Sequence, residues 1–225
     1  PGSDPSSSPP RIGVLALQGS FALHVAMLRR LGVEALEVKK ASALDGLDGL
    51  IIPGGESSTL LKFLIEEDLF EPLRTFCHQG GAVYGTCAGA ILLARTVENP
   101  VQQSLALLDM NIQRNGYGRQ LESHFGATPC IQLGEPDIPL VLIRAPVISQ
   151  IGPEVQMLAE WRGFPAFVRE GRVLATTFHP ELTADTRIHT LFIEIAAETK
   201  HHENQEAFRE TSWRTSSLSL IHISE

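Results

Sequence analysis

The chain has 225 residues, a formal net charge of −8, and 43% hydrophobic against 20% charged residues. This length suits one domain with a sizeable core, and the composition is that of an ordinary globular protein. The acidic balance argues against nucleic acid or a membrane surface as a partner, because both attract clusters of Lys and Arg.

Membrane and disulfide classes are also disfavoured. No apolar run approaches the roughly 20 residues that span a bilayer. The 3 cysteines have no C-x-x-C spacing, which is typical of a reduced, cytoplasmic protein rather than of a disulfide scaffold or a zinc site. We therefore expect no metal and no cofactor, and we expect Cys77 and Cys130 to be structural.

The first half of the chain alternates buried strands with amphipathic helices. The predicted strands are Ile12–Leu17, Val33–Val38, Leu50–Ile52 and Ala82–Tyr84, and the predicted helices are Phe21–Leu31, Thr59–Glu67, Pro72–His78 and Ala88–Thr96. This alternation predicts an α/β fold: a mostly parallel sheet with right-handed crossovers and helices on both faces.

The second half is richer in strands, several of which we expect to be antiparallel. They are predicted at Leu108–Gln113, Pro129–Leu133, Leu140–Ile143, Val155–Glu160, Ala166–Arg169 and Val173–Thr177, before a last helix over Asp185–Thr199. A single domain is thus predicted over residues 11–198. Residues 1–10 are predicted to be disordered. Residues 199–225 are predicted to be disordered or non-native, with a docking peptide as the alternative.

A candidate nucleophile lies where the fourth predicted strand meets a helix. Gly85-Thr86-Cys87-Ala88-Gly89 has the layout of a nucleophile elbow, with a thiol in place of the hydroxyl. Glycines flank the sharp turn because side chains there would clash. The helix N-terminus favours a thiolate and directs backbone N–H groups at a developing oxyanion. Taken alone, the motif fits a buried structural cysteine about equally well.

A candidate base stands at the end of the last predicted strand, in Phe178-His179-Pro180-Glu181. His179 can accept the thiol proton, and Glu181 can orient the imidazole and select its tautomer. A solvated or structural histidine is the alternative. Only the fold can bring His179 to Cys87, since the two motifs are far apart in the chain.

A third motif, Pro53-Gly54-Gly55-Glu56-Ser57, follows the third predicted strand. Its glycine pair lets backbone amides approach a ligand closely, so Gly54 or Gly55 can supply an oxyanion-hole N–H. The alternative, which is compatible with the first, is a turn whose serine caps the next helix.

These three motifs together resemble those of the class I glutamine amidotransferases. Further motifs are similar to those of the glutaminase subunits of pyridoxal phosphate synthase: Leu17-Gln-Gly19, Arg114-Asn-Gly-Tyr-Gly-Arg-Gln120, Ile143-Arg-Ala-Pro146 and Phe178-His-Pro-Glu-Leu-Thr183. The resemblance extends from Ile12 to Glu198 with every motif in the family order. It implies a flavodoxin-like amidotransferase fold.

The resemblance also implies an activity. Cys87 would attack the carboxamide of L-glutamine to form a glutamyl thioester, with His179 and Glu181 completing a catalytic triad. The products would be L-glutamate and ammonia, and the ammonia would pass to a lyase-like synthase subunit, in a heteromeric complex that makes pyridoxal phosphate (vitamin B6).

The remaining site residues are implied by the same resemblance. Substrate contacts are expected at Gly55, Glu56, Ser57, Arg114, Ile143 and Arg144. The oxyanion hole is expected at Gly54, Gly55 and Ala88, and the partner interface at Gln18 and His24. A Glu with two Arg suits a substrate that carries both an ammonium and a carboxylate. Surface salt bridging is the alternative for the two arginines.

Three other functions stay open at this point. One is the glutaminase subunit of another amidotransferase, such as imidazole glycerol phosphate synthase, which the Leu17-Gln-Gly19 motif and the block beginning at Arg114 disfavour. A second is a catalytically silent regulatory subunit, which the intact Cys, His and Glu disfavour. A third is a cysteine hydrolase or chaperone-like protein on a similar sheet, which the His-Pro-Glu placement does not suit.

Overall fold

A computed structural model describes residues 8–117 and 123–198. The strands are β1 (Ile12–Leu15), β2 (Ala35–Val38), β3 (Gly49–Ile52), β4 (Ala82–Thr86), β5 (Ala94–Glu98), β6 (Leu108–Gln113), β7 (Ser123–Thr128), β8 (Ile138–Ile143), β9 (Val147–Ile151), β10 (Gln156–Trp161), β11 (Phe164–Glu170) and β12 (Val173–Thr176). The helices are α1 (Phe21–Arg30), α2 (Ser57–Glu66), α3 (Phe70–His78), α4 (Ala88–Leu93) and α5 (187–198), with short 3-10 turns at Ala41–Leu44 and Pro180–Leu182.

A seven-stranded sheet forms the centre, in the order β10-β11-β12-β4-β3-β1-β2. The five strands from β12 to β2 run parallel, and β11 and β10 extend the sheet antiparallel. The predicted α/β fold with a mostly parallel sheet is confirmed. Because parallel strands end at the same edge, the loops after β1, β3, β4 and β12 all open on one side of the sheet.

Two apolar layers cover the two faces of this sheet. Successive strand residues alternate between them, as in β3, where Leu50 and Ile52 face one layer and Ile51 faces the other. Helices α2, α3 and α4 supply the first layer, and α1 and α5 supply the second. Burial on both faces explains why these strands have unbroken apolar runs in the sequence.

Two smaller sheets, β5-β6-β9 and β7-β8, hold most of the departures from the sequence-based predictions. The helix predicted over Ala88–Thr96 ends at Leu93, and the chain enters β5 directly. The strand predicted at Pro129–Leu133 is wrong: the chain turns there, and the Leu133 and Gly134 amides both donate to the Cys130 carbonyl. Strands β7 and β9 were not predicted, since neither shows a sustained apolar alternation.

All three cysteines are free thiols. Cys130 is buried in the apolar layer to which α1 and α5 contribute, and Cys77 packs against the layer on the other face of the sheet. Within the described ranges, no helix is long and apolar enough to cross a membrane. The predictions for residues 1–7 and 199–225 lie outside the described residues.

Candidate active site

Cys87 occupies a sharp turn between β4 and α4. Its φ of 49° and ψ of −102° lie in a region that non-glycine residues rarely adopt, so the turn holds backbone strain at the sulfur-bearing residue. Its amide donates to the Thr176 carbonyl of the neighbouring strand at 2.8 Å. A Cβ on Gly85 would lie 2.6 Å from the Gly89 carbonyl carbon, and a Cβ on Gly89 would collide with the Ile52 carbonyl oxygen. The flanking glycines are therefore required by close backbone packing.

His179 and Glu181 follow β12 and form the other half of the site. The His179 amide donates to the Val141 carbonyl at 2.9 Å, and its Nδ1 lies 2.8 Å from Oε1 of Glu181. Both side chains are nearly buried. An ideal Cβ on Gly54 would lie 2.5 Å from His179 Cε1 and 3.4 Å from Cys87 Cβ. Strands β4 and β12 are paired in parallel, so their C-terminal residues bring the thiol and the imidazole to one place.

The electrostatics of this group favour a charged histidine. Burial opposes the protonated imidazole of His179, but side-chain hydrogen bonds with Cys87 and Glu181, together with their charges, raise its pKa to about 10. Burial likewise opposes ionisation of Glu181, yet hydrogen bonds from His179 and Ser20 and the nearby imidazoles lower its pKa to about 2. Nearby charges and hydrogen bonds therefore outweigh desolvation at both residues.

An open cavity of about 540 Å³ lies above the sulfur. Its lining includes Gln18, Gly54, Gly55, Glu56, Ser57, Cys87, Arg114, Ile143, Arg144 and His179. Residues from the loops after β1, β3, β4, β6, β8 and β12 thus meet in one pocket. This is the edge at which open parallel sheets bind their ligands.

Glu56 and Arg114 form the charged wall of the cavity. The Arg114 Nη2 lies 3.2 Å from Glu56 Oε1. Although partial burial opposes it, hydrogen bonds from Ser58 and Thr59 at the start of α2 lower the Glu56 pKa to about 2. Glu56 is therefore the N-cap of α2 and also the anion that faces Arg114.

The glycine loop is held by the segment after β1. The Ser20 amide donates to the Gly54 carbonyl at 3.0 Å, and the Glu56 amide donates to Gln18 Oε1 at 3.1 Å. Because C=O and N–H point in opposite directions in a trans peptide, the Gly55 N–H points away from Ser20. The orientation of this peptide is thus coupled to the Gln18–Ser20 segment.

Residues 14–198 match the model of the SNO glutamine amidotransferase family. The chain belongs to this family. A protein from Koribacter versatilis named pyridoxal 5'-phosphate synthase subunit PdxT is 50% identical over 82% of this chain and 95% of its own length. Another of that name, from Deinococcus radiodurans, is 49% identical over 83% of this chain and 97% of its own. A solved structure described as a glutamine amidotransferase superposes with a TM-score of 0.78 at 45% identity, covering 82% of this chain and 98% of that one.

In this amidotransferase the predicted site residues fall into three positions. The cavity is lined by Gln18 and by every residue predicted to contact substrate, as well as by Gly54, Cys87 and His179. Glu181 is hydrogen-bonded to His179 and does not itself line the cavity. Ala88 is buried at the first turn of α4, next to Cys87.

His24 is a correction to the sequence-based expectation. Its side chain was expected at a partner interface, but it is fully buried, with Nε2 lying 3.6 Å from Glu181 Oε2. The residue lies on the inner face of α1, which turns it towards Glu181 and away from the surface. In this conformation it has no exposed atom with which to contact a partner.

Several polar residues near the triad were not predicted. The Ser20 hydroxyl donates to Glu181 Oε1 at 2.8 Å, and His189 of α5 lies 2.9 Å from His24. Ser20 carries a usable signal, since it adjoins the Leu17-Gln-Gly19 motif. His189 carries none, because one histidine in an amphipathic helix resembles any other.

Proposed function

We propose that this chain is the glutaminase subunit of a pyridoxal phosphate synthase. In this proposal Cys87, His179 and Glu181 convert L-glutamine and water into L-glutamate and ammonia, and the ammonia passes to a synthase subunit. The observation that carries it is that Cys87 and His179 meet at one cavity, with Glu181 hydrogen-bonded to His179, in a member of a glutamine amidotransferase family.

The first half of the reaction breaks the C–N bond. The Cys87 sulfur attacks the carboxamide carbon, and its proton resides on His179. The C=O electron pair moves onto oxygen to form a tetrahedral intermediate. When the C=O re-forms, the C–N bond breaks, and His179 donates its proton to the leaving nitrogen. Ammonia and a γ-glutamyl thioester result.

Water completes the cycle. His179 removes a proton from a water molecule, whose oxygen attacks the thioester carbon. Collapse of the second tetrahedral intermediate breaks the C–S bond, releases glutamate and returns the proton to sulfur. Glu181 remains ionised throughout: its Oε1 holds the Nδ1–H of His179, so that Nε2 is the nitrogen available for proton transfer.

The oxyanion of both intermediates needs two N–H donors. The Ala88 amide follows the nucleophile at the first turn of α4, the position that supplies one donor in nucleophile elbows. The Gly55 amide, which points away from Ser20, is the candidate for the second. A preorganised donor of this kind contributes about 3 kcal/mol to transition-state stabilisation.

The polar ends of glutamine match the charged wall of the cavity. The substrate carries an ammonium and a carboxylate on its α-carbon, and Glu56, Arg114 and Arg144 offer both charges. Gly55, Ser57 and Ile143 complete the proposed contacts along the side chain. For Arg114, the alternative of a simple surface salt bridge is disfavoured because its side chain is only 18% exposed and lines the cavity.

A synthase partner is part of the proposal, since ammonia released into neutral water is protonated and ceases to be a nucleophile. The relatives from Koribacter versatilis and Deinococcus radiodurans are named as pyridoxal 5'-phosphate synthase subunits. We assign the partner to the lyase-like subunit of that synthase and the complex to the cytoplasm. Gln18 lies at the mouth of the cavity and contacts the Glu56 amide, so docking there can act on the oxyanion loop.

The experiment is a titration. Glutamate release is measured at a fixed concentration of this chain while the lyase-like synthase subunit is added. We expect weak activity alone and activation that saturates near equal subunit numbers. Full activity without the partner, or no complex by gel filtration in the presence of glutamine, points to a different amidotransferase.

A further inference from the structure

A buried line of polar side chains extends from the triad into the core between α1 and α5. Glu181 Oε2 lies 3.6 Å from His24 Nε2, and His24 Nδ1 lies 2.9 Å from His189 Nε2. His24 Nε2 also lies 3.2 Å from the Thr86 hydroxyl, one residue before the nucleophile. Both histidines are completely buried. Neither lines the cavity, so substrate binding does not account for them.

Only one of the two oxygens of the Glu181 carboxylate accepts hydrogen bonds from the part of the chain that the structure describes. Its Oε1 accepts from Ser20 Oγ and from His179 Nδ1, both at 2.8 Å. Its Oε2 is buried and accepts no hydrogen bond from any residue in the described ranges. A buried carboxylate oxygen without a donor is strongly unfavourable, and His24 Nε2 lies 3.6 Å from it.

Two tautomers of the histidine pair are possible, and the surroundings select one. In the first, His189 Nε2–H donates to His24 Nδ1, so His24 carries its proton on Nε2, facing Glu181 and Thr86. In the second, His24 donates to His189 and turns a lone pair towards the Glu181 carboxylate. The second also leaves His189 Nδ1–H as a buried donor with no partner among the described residues. The first leaves the His189 Nδ1 lone pair as a buried acceptor without a partner in the described ranges. A buried acceptor without a partner is tolerated better than a buried donor, as it is among backbone groups.

A neutral His24 is also what the local charges require. The titratable groups around it are Glu181 and His179 from the turn after β12, His189 from α5 and Tyr84 from β4. Burial, reinforced by the His179 charge and opposed by the Glu181 charge, lowers the His24 pKa to about 4. The carboxylate therefore has one cationic neighbour, His179, and one dipolar neighbour, His24.

We propose that His24 is a positioning residue for the triad: its Nε2–H lies between the Thr86 hydroxyl at 3.2 Å and the second oxygen of Glu181 at 3.6 Å, and its dipole keeps the carboxylate ionised and in the orientation that His179 requires. His189 has the supporting role of holding His24 in this tautomer through its own Nε2–H. The inference rests on the proposed glutaminase function for its kinetic consequence, but its tautomer assignment stands on geometry alone.

The kinetic test uses the full chain with a saturating amount of the synthase subunit. His24→Leu removes the donor, and we expect kcat to fall about tenfold, as when hydrogen-bond partners of metal-ligating histidines are removed. KM should stay within about twofold, because His24 does not touch the cavity. His24→Gln, whose amide N–H can reach the place of Nε2–H, should restore kcat.

A structural role alone predicts a different pattern. Ile195→Ala, a matched control, opens a cavity at a buried α5 residue that is not part of the line, and should lower the melting temperature without lowering kcat. If His24→Leu behaves like this control, with the kcat of the unsubstituted chain, or if His24→Gln loses as much kcat as His24→Leu, the inference is overturned.

A second measurement needs no substitution and no activity. The ring-nitrogen chemical shifts of ¹⁵N-histidine-labelled protein report the tautomer of each imidazole. Protonation of His24 on Nε2 at neutral pH supports the inference, and protonation on Nδ1 overturns it even if the enzyme is active. Conversely, an unsubstituted complex that releases no glutamate contradicts the proposed function and leaves the tautomer result standing.

Discussion

His179 Nδ1 lies 2.8 Å from Oε1 of Glu181, only two residues farther along the chain, within one 3-10 turn. The intervening Pro180 limits the backbone of this turn, so the imidazole and the carboxylate are positioned as one unit. That unit lies close to Cys87 because β12 pairs with β4.

Replacement of Cys87 by Ser or Ala should abolish glutamine hydrolysis, by at least about 1,000-fold, because neither side chain supplies a thiolate. The protein should remain folded by circular dichroism. The matched control is Cys77→Ser: burial raises the pKa of this thiol to about 11, so it is protonated at neutral pH and its loss should leave turnover unchanged. Normal glutamate release by Cys87→Ala rules out the mechanism.

Glu181→Gln keeps the size of the side chain and removes its charge. We expect kcat to fall by about 100-fold or more, because the amide no longer selects the Nδ1–H tautomer of His179. KM for glutamine should change little, since Glu181 does not line the cavity. Initial-rate kinetics with the synthase subunit measure both parameters, and a raised KM at constant kcat would place Glu181 in substrate binding instead.

Gly54→Ala should inactivate the enzyme while leaving the fold intact. The new Cβ would lie 2.5 Å from His179 Cε1 and 3.0 Å from its Nδ1, and so would displace the imidazole. Gly163→Asn is the control, because a Cβ there meets no atom within 4 Å and Asn tolerates its φ of +82°. An active Gly54→Ala enzyme with an undisturbed His179 resonance contradicts this packing.

Arg114→Gln should raise KM for glutamine about tenfold with a smaller effect on kcat, because it removes a cation from the substrate wall and frees Glu56. Arg95→Gln is the matched control. That residue forms an exposed pair with Asp109 at 2.8 Å and does not line the active-site cavity. Equal KM changes in both variants would favour a general effect of net charge.

Stability should fall as the pH drops below about 6.5. Burial lowers the pKa of His24 to about 4 and that of His189 to about 3, so only the unfolded chain binds these two protons between pH 6 and 5. The two histidines together should make the free energy of unfolding fall by about 2.7 kcal/mol for each pH unit in this range. Glu181 does not interfere, because its stabilisation is lost only below its unfolded pKa of 4.5, towards pH 2.

The contribution of His179 to the pH dependence of stability has the opposite sign, and it falls in a different pH range. Its raised pKa of about 10 gives a stabilisation that is complete below pH 6.5 and lost as the pH rises to 10, so it is constant during the acid titration. Urea unfolding at several pH values measures the slope. His189→Gln removes one of the two buried groups and should halve the slope, and an unchanged slope would contradict the assignment.

Much of the α/β architecture could be predicted from the sequence, because strands buried on both faces of a parallel sheet are continuous apolar runs. Strand β3 and its neighbours stand out for this reason. The elements that could not be predicted are those that are defined by pairing with another strand and not by a pattern in their own sequence. Strand β7 has the exposed Phe125 and a glycine, and only its pairing with β8 defines it as a strand.

The candidate active site also has parts that the sequence predicts and parts that only the tertiary structure determines. Local backbone geometry alone points to Cys87, since a nucleophile between two glycines at a strand end needs no distant partner to form its turn. The sequence by itself also determined the unit of His179 and Glu181, because two residues separate them. Tertiary structure decided what these parts face: the pairing of β4 with β12 joined thiol to imidazole, and the packing of α1 against α5 turned His24 inward to the Glu181 carboxylate. A side chain on an amphipathic helix has no fixed partner until the opposing surface exists, and burial then determines its role.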